Sequence, residues 1–151
     1  MYLTQYTDYA LRVLMYAAAN DKDLVNIGTI AEAYGISKSH LMKVVTALVK
    51  GGFLQGVRGK GGGLRLARSA EDITIGEVVR CLEPHQLVEC MGERDQCNCL
   101  VLPHCRLAGV LDGAYRSFIR HLDGVTLAEI VNPAVRQMLQ EEPLVQMKKV
   151  D

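Results

Sequence analysis

The sequence predicts a mainly α-helical chain with one small β-hairpin, ordered as a helix-turn-helix, a wing and a long helix. Three observations predict it. Residues 7–50 carry apolar side chains at helical spacing, broken twice by polar or glycine turns. Gly59-Lys60-Gly61-Gly62-Gly63 separates two short apolar stretches, and a second long apolar stripe begins at Leu107. A length of 151 residues with 49% hydrophobic content suits one domain, or a small domain plus an extension, with ample core.

The first helix is expected over Thr7 to Asn20, capped by Thr7 or Asp8, with Ala10, Leu11, Leu14, Ala17 and Ala18 at helical spacing. Val13, Met15 and Tyr16 make its other faces apolar as well. A short helix apolar nearly all round is buried between partners, so this one is expected inside the fold and against a second subunit. After the polar turn Asn20 to Asp23, Asn26 caps Ile27 to Tyr34, Gly35 breaks it, and Ser37 caps Lys38 to Lys50, which Gly51-Gly52 stops. The sharp turn needs a small residue where the helices cross and a residue free to take positive φ four positions later, and Ala31 and Gly35 supply them. Leu41 and Val44 then pack back on the preceding helix, with Ile30, Ile36, Val45 and Leu48 in the same core. Two stacked structural helices would share this pattern. What favours a DNA-reading unit is the set Ser37, Lys38, Ser39, His40 and Lys43 at the N-terminal end of the second helix, the end that enters a major groove.

Phe53 to Arg58 and Leu64 to Ala67 read as strands joined by the glycine turn, which makes a wing. A phosphate-cradling loop would run from strand to helix, and here it does not. Arg58, Lys60 and Arg65 instead suit an arm reaching the minor groove and flanking phosphates. Thr74 caps a helix through Leu82, ended by Glu83-Pro84; Cys81, within Val-Val-Arg-Cys-Leu, is expected to be a buried structural thiol. A long helix from about His104 to Leu122 carries Leu107, Val110, Leu111, Ala114, Phe118 and Leu122 on one stripe, wide enough to meet both its own wing domain and a symmetry mate. Thr126 starts a short helix to Val131, and from Pro133 the chain is charged, sparse in core residues and expected to be loosely held.

Net charge is zero, yet the two halves differ. Residues 1–68 have 9 Lys and Arg against 4 Asp and Glu, and residues 69–151 have 8 against 13. Between Glu32 and Glu71 stand Lys38, Lys43, Lys50, Arg58, Lys60, Arg65 and Arg68 with no acid among them, the footprint of a phosphate-facing surface. The N-terminus lacks a basic leader region and the early apolar run Val13 to Ala19 is too short for a membrane span, so a cytoplasmic protein with reduced thiols and no membrane contact is expected.

Four of the five cysteines, Cys90, Cys97, Cys99 and Cys105, crowd into one loop separated by Gly, Asn, Asp and Pro. Thiolates at that density can converge on one soft metal centre, and an iron-sulfur or other metal site is the leading reading. A disulfide-stapled loop or ordinary buried thiols are the alternatives. No nucleophile-base pair, Cys-x-x-Cys or convergent acidic pair is present, which leaves no candidate catalytic residue and weighs against a cluster-handling or thiol-redox enzyme.

Together these stretches resemble the bacterial iron-sulfur winged-helix transcriptional repressors, the family that includes IscR, RirA and the nitric-oxide sensor NsrR. The resemblance spans about residues 1–132 and rests on four motifs: Leu-Thr-x-Tyr-Thr-Asp-Tyr-Ala-Leu-Arg at positions 3–12; Ile36-Ser37 with His40-Leu41-Met42-Lys43; Val57 through Leu66; and Leu82-Glu83-Pro84. The NsrR branch is the more similar. Where IscR-like members place a histidine ligand three residues after the last cysteine, this chain has Ala108; where NsrR-like members use an aspartate donated by the partner subunit, it has Asp8. The resemblance implies a homodimer on palindromic double-stranded operator DNA and a 4Fe-4S cluster, with 2Fe-2S as the alternative, that nitric oxide destroys. It assigns Cys90, Cys99 and Cys105 as ligands, because the last two keep the family's interval of five intervening residues, with Asp8 of the partner subunit as the fourth. The family has three cysteines where this loop has four, so Cys97 stands as an alternative ligand and Asp8 as a simple helix cap. Iron availability or thiol redox is the alternative signal. The expected division is a winged helix-turn-helix DNA-binding domain over 1–82, a cluster loop over 83–105, a dimerisation helix and short helix over 106–132, and a tail over 133–151.

Overall fold

The structure, a computed structural model, describes residues 3–84, 87–91, 97, 99–101 and 104–141. The remaining positions of the cysteine loop and the tail beyond 141 lie outside the described residues. The elements run α1 (Gln5–Ala19), α2 (Ile27–Tyr34), α3 (Lys38–Lys50), β1 (Leu54–Val57), β2 (Gly63–Leu66), α4 (Ile75–Leu82), α5 (Leu107–Asp123), α6 (Leu127–Ile130) and α7 (Pro133–Gln140). The mainly α winged helix-turn-helix expected from the sequence is what forms.

The apolar residues of α1 put it at the centre, packed against α3, α4, α6, α7 and β2. Ala10, Val13, Leu14, Ala17 and Ala19 are buried there, and a side chain the size of Leu14 contributes about 1.5–3 kcal/mol when fully withdrawn from water. The cap of α1 is Thr4, whose hydroxyl accepts from the Thr7 N–H, and not Thr7 or Asp8. Thr7 is instead fully buried inside the first turn.

The helix-turn-helix follows its local signals. Asn26 accepts from Gly28 N–H, Gly35 takes the left-handed conformation at φ 62°, and Ser37 accepts from His40 N–H. β1 and β2 pair antiparallel with Gln55 opposite Arg65, and the hairpin is rooted in the body by Val25, which exchanges both backbone hydrogen bonds with Leu64. At the wing tip a Cβ on Gly62 would overlap the Val57 carbonyl oxygen, so this turn closes only with glycine there.

Two expectations change, for Cys81 and for the chain from Pro133. Cys81 is exposed, because the last turn of α4 runs past the core that holds Val78 and Val79 and leaves Sγ beside Gly51 at the rim. Along α5 Ile119 is buried against its own chain, while Leu107 and Val110, on the stripe expected to meet a symmetry mate, are 62% and 66% exposed in the single chain. The chain from Pro133 to Gln140 is helical and docked: Arg136 and Gln140 both donate to the Ala19 carbonyl, Asn20 donates to that of Leu139, and Arg136 pairs with Asp21. Asn132 at the cap and Pro133 at the first helical position start it. Among the described residues, no helix is long and apolar enough to cross a membrane.

Candidate functional site

Two sets of side chains were expected to act, one on DNA and one on a metal. The N-terminal end of α3 presents Lys38, Ser39, His40 and Lys43 to solvent. Ser37 is also exposed but partly committed, its hydroxyl capping His40 N–H at 3.4 Å and lying 3.3 Å from the Ser39 hydroxyl. Arg58 and Lys60 project from the wing turn. Arg65 is exposed on β2 but held across the hairpin, Nε and Nη2 both donating to Gln55 Oε1 at 3.2 and 3.1 Å, which fixes its direction. Arg68 leaves the basic set: it pairs with Glu77 at 2.6 Å, donates to the Asp72 carbonyl and lies over the Phe53 ring. Between α1 and α3 a cavity of about 240 Å3 is lined by Gln5, Tyr6, Tyr9, His40, Lys43 and Val44. Tyr6, which the sequence reading passes over, donates its hydroxyl to the Lys43 carbonyl at 3.0 Å.

Asp8 lies on α1 in the next position but one. Within its own chain it accepts from Arg12 Nε at 3.1 Å and pairs with Nη2 at 2.9 Å, a half-exposed contact between residues four apart that contributes a few tenths of a kcal/mol. Arg12 also sits 5.7 Å from the Tyr34 ring centre. Burial pushes the Tyr34 phenol up to about 12, with Arg12 pulling down and Tyr16 adding to the rise, so Tyr34 stays neutral and Arg12's charge is left for Asp8. Such a weak hold leaves the carboxylate free to change partner.

All five cysteines are free thiols. Cys90, Cys97 and Cys105 are half-buried and Cys99 is exposed. Partial burial pushes the Cys90 thiol up, and the thiols of Cys97, Cys105 and Cys99 add to it against a smaller pull from its own backbone. Cys90 therefore lies within electrostatic reach of the other three thiols, and such repulsion is what a bound cation relieves. Among the described residues, no three His, Cys, Asp or Glu side chains already converge tightly enough to hold a metal ion. Among the described residues, Asp8 and the cysteines of one chain are not gathered into a joint metal-holding group. Cys99-Leu100-Val101 continues the exposure, Leu100 at 98%.

The loop is anchored at its root. Glu83 caps the end of α4, and its carboxylate accepts from the Thr4 N–H and Thr4 hydroxyl at 2.7 and 2.8 Å. Burial pushes this carboxyl up, but the hydrogen bonds from Thr7 and Thr4 win and hold it below the ordinary glutamate value.

A sequence model of the family described as "Rrf2: Iron-dependent Transcriptional regulator" matches residues 3–133. CymR (YrzC), the global cysteine regulator of B. subtilis, superposes with a TM-score of 0.71 at 23% identity, over 87% of this chain and 96% of that one. IscR of T. potens gives 0.68 at 26% identity, over 89% and 88%. The oxidized form of Staphylococcus aureus CymR gives 0.68 at 24% identity, over 87% and 97%. At such identities the CymR likenesses show the fold alone.

Proposed function

Because the chain belongs to the Rrf2 family of DNA-binding transcriptional regulators, we propose that it is a homodimeric repressor whose cysteine loop carries an iron-sulfur cluster and senses nitric oxide. Members of this family are regulators, not enzymes, and are typically dimeric. The observation that carries the reading is the gathering of four free thiols between Cys90 and Cys105, in the stretch that joins α4 to the uncovered face of α5.

The donor set fits such a group: four unbridged soft sulfur donors in one loop, three of them half-buried, suit iron and sulfide. Cys90, Cys99 and Cys105 would hold it, with Asp8 of the partner subunit as a harder, weaker fourth ligand. When bound, the cluster would supply a centre reactive toward nitric oxide, 4Fe-4S being favoured over 2Fe-2S by the resemblance to NsrR. The residues of the chain do the rest. Ser37, Lys38, Ser39, His40 and Lys43 read and grip a major groove, and Arg58, Lys60 and Arg65 meet phosphates. Residues 83–105 join this part to the dimer helix, so the set of the loop governs where two recognition helices lie. Half-sites one or more DNA turns apart make operator affinity sensitive to that spacing.

A second ligand reading is favoured by exposure: Cys97 is half-buried with Cys90 and Cys105, while Cys99 faces solvent. In that arrangement Cys97 replaces Cys99, or completes an all-thiolate site in place of Asp8. The exposed Cys99 also suits a thiol sensor of the same fold. Anaerobic purification with iron and sulfide counts, absorbance spectra before and after nitric oxide, and retardation of palindromic DNA test the proposal. A colourless protein that binds DNA and responds only to thiol oxidants would replace it with the thiol sensor.

A further inference from the structure

The first turn of α1 touches both ends of the machinery. Pro84 biases the residue before it toward extended backbone, and Glu83 has that conformation, at φ −101° and ψ 145°. Its carboxylate thus leaves the end of α4 toward α1, where Thr4 donates to it twice, from its N–H and its hydroxyl, beside the fully buried Thr7. Tyr6, in the same turn, donates to the Lys43 carbonyl of the recognition helix at 3.0 Å. Four consecutive residues therefore join the root of the cysteine loop to α3, immediately before Asp8.

We infer that Glu83 is a positioning residue that fastens the root of the cysteine loop to the first turn of α1, and that Tyr6 carries displacement of this turn to the recognition helix. The inference rests on the reading of the loop as a cluster site. Two converging donors from Thr4 hold the carboxylate in one direction, which a glutamate free in water at a helix end would not be. The turn itself is rigid: Thr4 caps it and also meets Thr7, their hydroxyls 3.4 Å apart. Moving Glu83 by an ångström either breaks these bonds or drags the turn, and dragging the turn pulls on the Lys43 carbonyl.

A contact that is merely structural lowers the stability of cluster-loaded and cluster-free protein alike. A coupler changes the ratio of their operator affinities, and that ratio is the readout. Full-length Glu83→Ala, Glu83→Gln and Thr7→Val are loaded anaerobically with iron and sulfide, then compared with the same proteins stripped by chelation. Iron and sulfide counts should match the unsubstituted protein. The loaded-to-stripped affinity ratio should shrink about tenfold in Glu83→Ala, and less in Glu83→Gln, whose amide oxygen still accepts. In stripped Glu83→Ala, amide exchange in the first turn of α1 should be faster. An unchanged ratio in Glu83→Ala overturns the inference; should that variant not fold, unchanged ratios in both Glu83→Gln and Thr7→Val do so. Unsubstituted protein that takes up no iron and sulfide, or takes them up without a change in operator affinity, sinks the cluster reading and this inference together. A cluster-dependent ratio indifferent to Glu83 sinks the inference alone.

Discussion

From Asn26 to Leu66 the chain completes itself. Asn26 and Ser37 cap their helices, Gly35 closes the turn, Val25 roots the hairpin and Gln55 aims Arg65, all within one copy. Among the described residues from Cys90 to Val110 little is completed: the thiols are unbridged, Cys99 and Leu100 face water, and Leu107 and Val110 stand uncovered on α5. A module that reads a fixed partner is built rigid from local signals. On the proposed reading, a module that must respond is left to be finished by a bound group and a second chain, so its geometry would depend on them.

Removing the group should have the largest effect. Cys90→Ala and Cys105→Ala are each expected to abolish iron and sulfide uptake, measured on anaerobically reconstituted protein. Cys99→Ala should do the same and Cys97→Ala should do little; the reverse result would shift the ligand register by two positions. Asp8→Ala should leave the cluster formed but more quickly lost.

Removing the second chain should come next. Leu107→Asp with Val110→Asp puts charge on the uncovered face of α5, where each side chain would contribute about 1.5–3 kcal/mol if fully buried. Sedimentation equilibrium should show monomer, and affinity for a two-half-site operator should fall toward that of a single half-site. A dimer of unaltered affinity would place the interface elsewhere.

Within the self-sufficient module the effects are smaller and local. His40→Ala or Ser39→Ala should relax the choice of operator base at one position, at about 1–3 kcal/mol per lost base contact, read from competition with altered operators. Parallel loss of specific and non-specific affinity would make these residues anchors, not readers. Smallest is the wing: Arg58→Ala and Lys60→Ala should each lower the salt slope of binding by about one unit for every DNA sequence alike. Slopes that do not move would take the wing off the DNA.

The same division explains what could be read from the sequence. Caps and turns act over a few residues, so Asn26, Gly35, Ser37, Thr74 and Thr126 were legible, and the helices they bound fall where expected. The start of α1 was not: Thr4, Thr7 and Asp8 are all local candidates, and the choice is settled by a carboxylate 79 positions away. Charge counting included Arg68 in the basic footprint because the Glu77 that neutralises it arrives through tertiary folding. The thiol cluster was visible as composition. Which thiols bury together depends on a loop with no periodicity to read. For α7 a signal existed, Asn132-Pro133 with Val135 and Leu139 one turn apart, but polar neighbours mask so short a stripe.

The docking of α7 has a kinetic consequence during biosynthesis. Among the described residues the carbonyl of Ala19 finds its side-chain donors in Arg136 and Gln140, 117 and 121 positions downstream. At translation rates of about 5–20 residues per second, the end of the first helix waits roughly 6–24 s for the segment that seals it. Throughout that interval an almost entirely apolar helix lacks its closing partner, and contacts of such long sequence separation form slowly. The apolar helix made first is therefore covered in stages, by α3, β2 and α4 early and by α7 only at the end.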